Sequence, residues 1–275
     1  MFDVSPEVVV GPSRTPNPIM RLLSYNIHKG IGGRDRKYDL SRIIGVIAAA
    51  EPDVVCLQEV DRNVPRSRHD DQPAILAEAL GACARLYQMN VPVKTGGYGN
   101  LLLSRWPIHT HHQVSLRLKA RKPRGAQIAT IETPQGLLQV VNWHLGLAEK
   151  ERNWQVEHLL NHRLYRESAE RPGLIAGDTN DWRERLTSAV LVRHGLRQVT
   201  YPRSRFRSFP AYLPVSALDK AFARGPIEIH RAFVLKSRMS RVASDHLPLV
   251  VDFQIGEQTL GPDAASVAVE SSGPV

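Results

Sequence analysis

The sequence predicts an α/β fold in which two β-sheets pack face to face with helices on the outside. Three observations carry this. Apolar, β-prone runs recur along the chain, with helical stretches placed between them rather than gathered at one end. The run from Asp53 to Glu59 is nearly continuous in apolar residues, as in a strand covered on both faces. Several runs also end in a side chain suited to metal binding or proton transfer, Asn26, Glu59, His144 and Asp178, and the pair Asp245–His246 stands at the mouth of the last run. Cutting the chain between these positions would separate them, so one domain over residues 20–255 is expected.

Residues 1–19 hold Gly11-Pro12, Pro16 and Pro18 without periodicity and read as a tail. Met20–Ile27 is the first strand, followed by a glycine-rich basic loop, His28–Arg34. Leu40, Ile43, Ile44, Ile47 and Ala48 recur at helical spacing, and Glu51-Pro52 stops that helix. A polar loop, Asp61–Asp70, leads to a helix near Pro73–Leu80. Ala84–Asn90 and Asn100–Ser104 read as strands flanking a loop, Lys94–Gly99. Trp106–Leu116 and Gly125–Ile131 read as a meander around the basic patch Arg117, Lys119, Arg121, Lys122 and Arg124. The strand Gly136–His144 follows. Leu147–Ala169 reads as the longest helix, and Pro172-Gly173 introduces the strand ending at Asp178. A shorter helix is expected at about Arg183–His194, then a proline-punctuated loop from Tyr201 to Ala217. Late strands are expected at Val215–Phe222, Ile227–Leu235 and Leu247–Ile255. From Gly256 onward, small residues without periodicity predict a disordered tail.

At 275 residues, 42% of them hydrophobic, the chain is long enough to bury a full core. No run of about 18 apolar residues occurs, so no membrane span is expected. Met1–Met20 lacks a basic start leading into an apolar stretch, so no secretory signal is expected either. Cys56 and Cys83 lie in apolar surroundings and read as buried thiols, which makes a reducing, cytoplasmic location the expectation. The 36 basic against 27 acidic residues favour polyanionic partners: nucleic acid, phosphorylated metabolites or acidic lipid surfaces.

Taken singly, the polar strand ends are ordinary. Gly177-Asp178-Thr179-Asn180 reads as a turn with a helix cap, and His144 as a hydrogen-bonded strand end. The ordered set of Asn26, Glu59, His144, Gly177-Asp178-Thr179-Asn180, Asp219 and Ser244-Asp245-His246 is more specific. It resembles the endonuclease/exonuclease/phosphatase superfamily, the DNase I-like fold, over about residues 20–255. Tyr25-Asn26-Ile27-His28-Lys29-Gly30, Gly99-Asn100-Leu101-Leu102-Leu103-Ser104-Arg105 and Pro123-Arg124-Gly125-Ala126 add a subgroup likeness. They resemble a bacterial branch of stand-alone hydrolases related to neutral sphingomyelinases and lipid-remodelling phosphodiesterases.

The resemblance implies a four-layer α/β/β/α sandwich of two mixed sheets with outer helices. It implies a metal-dependent phosphoesterase, a phosphodiesterase in the first reading and a phosphomonoesterase in the second. A binding module that kept the fold without turnover is the alternative of another class. Against it, no expected catalytic position carries an inert residue. The implied cofactor is Mg²⁺, with Mn²⁺ as the alternative. Such an ion takes hard oxygen ligands and is typically held by one or two carboxylates while keeping several waters. Glu59 is the first candidate ligand, with Asn26 and Asp245 near the ion or its waters.

By the same resemblance Asp178 orients the attacking water, and Asp219 holds His246. The part of His246 is either proton transfer or phosphate binding. Asn180 and His144 donate hydrogen bonds to non-bridging oxygens. His28, Arg66 and Arg124 lie in loops placed to rim the site and bind anions. Arg203, Arg205 and Arg207 alternate among Tyr201, Phe206 and Tyr212. That mix suits a nucleic-acid strand or a phospholipid headgroup surface, the second bringing peripheral membrane contact. Leu218-Asp219-Lys220-Ala221-Phe222 lacks the tryptophan and cysteine motif of inositol polyphosphate 5-phosphatases. It also lacks the tryptophan-rich segment of abasic-site repair enzymes, so neither specialisation is implied.

Overall fold

A computed structural model of the chain describes residues 18–168, 170–186 and 191–256. Strands β1 (Met20–Asn26), β2 (Val54–Arg62), β3 (Ala84–Val93) and β4 (Gly96–Ser104) come first, with helix α1 (Leu40–Ala48) after β1 and α2 (Gln72–Ala79) after β2. A meander follows, β5 (Ile108–Ser115), β6 (Gly125–Thr133) and β7 (Gly136–His144), then helices α3 (Glu149–Leu160) and α4 (Arg163–Arg166). Strands β8 (Gly173–Asp178), β9 (Arg197–Gln198), β10 (Asp219–Arg224) and β11 (Ile227–Val234) lead to a short helix, α5 (Ser240–Ala243), and the closing strand β12 (Leu249–Ile255). These strands make two six-stranded mixed sheets, in the orders β11-β12-β1-β2-β4-β3 and β5-β6-β7-β8-β10-β9.

The two-residue period of a strand explains the layering. Leu22 on β1, Val54 and Cys56 on β2, Val140 on β7 and Leu174 and Ala176 on β8 face between the sheets and form the central core. Their neighbours face outward. Leu23, Tyr25, Val55 and Leu57 meet the apolar stripe Leu40, Ile43, Val46 and Ile47 of α1. On the other side Val141, Trp143, Ile175 and Phe222 meet Val156, Leu159 and Leu160 of α3 and Tyr165 of α4. Each sheet therefore has one face on the other sheet and one on helices. This is the four-layer α/β/β/α sandwich of the DNase I-like fold.

Several boundaries differ from the sequence expectation. The helix expected over 147–169 is two: the His162 side chain accepts a hydrogen bond from the Leu164 backbone and so caps a new start after Asn161. The expected loop 94–99 narrows to a hairpin turn, because Gly96–Gly99 pair as strand with β3, and Gly97–Gly99 with β2 as well. Glycine at 99 permits this: a Cβ there would strike the Gln88 carbonyl. The strand expected from Val215 begins at Asp219, and the one expected from Leu247 begins at Leu249. The helix expected at 183–194 falls partly on residues outside those described, and its described end is a 3-10 turn, Val192–His194. The expected tails lie almost wholly outside the described residues. Cys83, read as buried, is exposed, since it lies just before the start of β3; Cys56 is buried as expected. No helix among the described residues is long and apolar enough to cross a membrane.

Candidate active site

Strand register assembles the site. On β7 and β8, paired in parallel, His144 stands opposite Asp178; on β8 and β10, paired antiparallel, Asp178 stands opposite Asp219. His144, Asp178 and Asp219 thus lie in a row across the middle of one sheet. They keep the parity of Val140, Ala176 and Ala221, so all three face the gap between the sheets. Asn26 ends β1 on the corresponding face of the other sheet. Beneath them a buried amide layer ties the sheets together: Gln58 donates to the Asn142 side chain at 2.8 Å, and Asn142 donates to Gln127 at 2.9 Å. Gly177 lets β8 reach its end. Its φ is +147°, and a Cβ would collide with the Trp143 carbonyl of β7.

The Asp178 carboxylate is the meeting point. Its Oδ2 accepts from Asn26 Nδ2 at 3.0 Å, and lies 3.4 Å from His144 Nε2 and 3.7 Å from His246 Nε2. Its Oδ1 accepts from the Asn180 backbone at 2.9 Å, closing the turn that follows. Asn180, with φ of +49°, turns its own amide to the Leu145 carbonyl at 2.9 Å. His246 lies in the loop before β12, and its Nδ1 is 2.8 Å from Asp219 Oδ2. The expected Asp219–His246 dyad is therefore formed, and it comes within reach of Asp178.

Burial sets the charges. Burial opposes a charged His246, but the nearby Asp219 and Asp178 carboxylates outweigh it and raise its pKa well above the ordinary value. Burial also raises the Asp178 pKa, against the pull of His246. His144 goes the other way: burial and the Arg124 guanidinium hold it neutral, well below the usual imidazole range. Arg124 donates to His144 Nδ1 at 3.2 Å, so His144 carries its proton on Nε2, facing Asp178.

Glu59 is placed by a β-bulge. The β2–β4 register shifts between Leu57 and Val60, and Glu59 has a φ of +58°, which turns its side chain out of the outward parity it would otherwise follow. Its carboxylate pairs with the Lys29 ammonium. Burial opposes its ionisation, yet the Lys29 ammonium holds the carboxyl far below the usual range. His28 and Lys29 also have positive φ, and His28 Nε2 lies 3.9 Å from Asp245 Oδ2. Among the described residues, no three His, Cys, Asp or Glu side chains gather into a metal cage. The donors present are instead an amide oxygen on β1 and a carboxylate on β2, with the part-exposed Asp245 beside His28. Such a sparse, hard-oxygen set fits an ion that keeps most of its water, and Lys29 already seats one positive charge on Glu59.

The expected rim divides. Arg124 is buried and meets no carboxylate among the described residues; its Nε has no hydrogen-bond partner. Arg66 is near Glu59 but makes a two-pronged pair with the buried Asp61, at 2.7 and 2.9 Å. Among the described residues, Arg203, Arg205 and Arg207 make no side-chain hydrogen bond or ion pair with the residues around Asp178, although Phe206 between them is anchored in the central core.

Sequence reasoning missed Ser208, whose hydroxyl donates to Asp219 Oδ2 at 2.6 Å, and Phe209, whose ring lies 4.9 Å from that of His246. It also missed the buried network behind the Asp178 loop, where Asp181 takes Lys220 at 3.4 Å and Arg152 at 3.6 Å. The Gly-Asp-Thr-Asn-Asp run offered a signal for Asp181; nothing in the sequence pointed to Ser208.

The chain is 29% identical to the Escherichia coli (strain K12) protein YbhP over 258 residues, 89% of this chain and all of that one. It is similar to a solved endonuclease/exonuclease/phosphatase from Beutenbergia cavernae DSM 12333, with a TM-score of 0.72 and 26% identity over 87% of this chain and 72% of that one. The fold is also that of a mannosyl-6-phosphatase from Bacteroides thetaiotaomicron VPI-5482, with a TM-score of 0.64 and 18% identity over 86% and 99% of the two chains. The profile of the Endonuclease/Exonuclease/phosphatase family matches residues 23–246, a span that opens on β1 and closes on His246, taking in each of the positions gathered around Asp178. The chain belongs to this family and is a hydrolase of phosphoester bonds.

Proposed function

We propose that this hydrolase is a Mg²⁺-dependent phosphodiesterase acting on a nucleic-acid or phospholipid type of substrate, by attack of water at phosphorus. The observation that carries the reading is the Asp178 carboxylate, held by Asn26 and bracketed by His144 and His246. A fixed, buried carboxylate of raised pKa is suited to orient a water and take its proton. His246 is charged at neutral pH, which supports a role as donor to a non-bridging phosphate oxygen rather than as base. Asp219, itself held by Ser208, fixes the His246 ring and keeps its charge. His144 donates through Nε2, and Asn180 keeps the turn after Asp178 in place.

Asn26 and Glu59, with Asp245 beside them, would hold the ion, which is in keeping with the general use of divalent metals in this family. When bound it supplies Lewis-acid stabilisation of charge on the phosphoryl oxygens. Arg124, a buried cation without a carboxylate, favours an anionic substrate. Glu59 is balanced by Lys29 and Asp219 by His246, leaving Asp178 and Asp245 against Arg124 and the outer Lys122. The two free thiols fit a reducing, cytoplasmic setting.

The test is steady-state hydrolysis of bis-p-nitrophenyl phosphate and p-nitrophenyl phosphate with Mg²⁺, after chelation, and after metal is restored. The diester should be cleaved faster, activity should vanish with chelator, and Glu59→Gln should demand more metal. Full activity in thoroughly chelated buffer would refute the metal role, and preference for the monoester would refute the diester reading.

A further inference from the structure

Two exposed segments flank the site and share an unusual surface. Residues 199–218 and 235–244 contain Arg203, Arg205, Arg207, Lys236, Arg238 and Arg241 and no Asp or Glu. None of the six pairs with a carboxylate among the described residues, whereas the exposed Arg105 and Arg185 elsewhere do. The same segments expose large apolar side chains: Leu213 is 63% exposed, Tyr212 and Val215 52%, Met239 47% and Val242 42%. The segments are joined, because Arg241 donates to the Tyr212 carbonyl at 3.2 Å. Both also run into the site. Phe209 lies against His246, the Ala211 backbone donates to the Asp245 carbonyl at 2.7 Å, and Val242 precedes Asp245 by three residues.

We infer that this rim is a docking surface for an anionic lipid bilayer, which holds the open end of the site against the headgroups. The occupant follows from the two properties together. Unpaired cations on the two joined segments are drawn to a negative surface, each worth about fivefold in affinity near anionic headgroups. Aliphatic side chains on an exposed turn and a short helix gain by entering the headgroup–acyl boundary, and tyrosine is at home at that depth. A nucleic-acid backbone would use the arginines and stack on Tyr201 or Tyr212, but it has no use for exposed Leu213, Val215, Met239 and Val242. Large exposed apolar side chains interspersed with unpaired cations on two joined segments mark an interaction face. The substrate would then be a phosphodiester borne on a lipid; that part rests on the proposed phosphodiesterase reading, while the docking itself does not.

The experiment is cosedimentation of the full chain, in chelator and so without turnover, with phosphatidylcholine vesicles that contain or lack phosphatidylglycerol. Two double variants are compared: Leu213→Asp with Val242→Asp, and Arg238→Ser with Arg241→Ser. The protein should sediment with the anionic vesicles, and less so as salt is raised. Each double variant should lower that affinity by about tenfold or more. Both should keep the wild-type circular dichroism and hydrolyse the soluble chromogenic diester at the wild-type rate. Failure of the wild type to sediment with anionic vesicles overturns the inference, and so does undiminished binding by the aspartate variant. Tight duplex binding, lost in the arginine variant and untouched in the aspartate variant, would assign the surface to nucleic acid instead. Vesicle binding by a protein that leaves the soluble diester intact would sustain the docking and defeat only the phosphodiesterase reading.

Discussion

Asp178→Asn is expected to lower turnover of a phosphodiester by about 10²–10⁴-fold, the range spanned by groups that move a proton in the transition state. The substitution keeps the shape of the side chain and its Oδ1 acceptor for the Asn180 backbone, so the turn should persist. It removes the negative charge that faces His144 and His246 and the capacity to take a proton from water. Binding should change little, because Arg124 is untouched. The check is kcat and KM on bis-p-nitrophenyl phosphate, beside a circular dichroism spectrum matching the wild type. A variant that retains more than about a tenth of wild-type kcat would remove Asp178 from the reaction.

The second large effect concerns His246. His246→Ala should cost on the order of 10²-fold or more in kcat. Asp219→Ala should cost less, because the imidazole remains but loses the partner that orients and charges it. The double variant should be little worse than His246→Ala alone, since residues that act as a unit do not add. The four-way comparison of kcat/KM measures this coupling. Losses that multiply would mean that Asp219 serves the fold and not the histidine.

Much of this site was legible because strand ends carry side chains that a buried strand body excludes. Asn26, His144 and Asp178 follow apolar runs of fixed parity, so their convergence can be read before any contact is known. Glu59 was identified by type but not by geometry: parity would turn it outward, and only the bulge after Leu57 brings it to Lys29. Arg124 was read as a loop cation, and its burial against His144 depends on register between β6 and β7, where Gly125 meets His144. Such long-range pairing leaves no local trace. The break between α3 and α4 turns on one cap at His162, which a charged, uniformly helical composition conceals. Arg66 had the composition of an anion binder and became half of an internal pair, because Asp61 is buried beside it.

The central claim is that this site delivers water to phosphorus. Hydrolysis of bis-p-nitrophenyl phosphate in water enriched in heavy oxygen, followed by mass spectrometry of both products, tests it most directly. The account predicts one heavy oxygen in the p-nitrophenyl phosphate and none in the p-nitrophenol, with the label and the turnover lost together in Asp178→Asn. Heavy oxygen in the p-nitrophenol would place the attack at carbon and contradict the account.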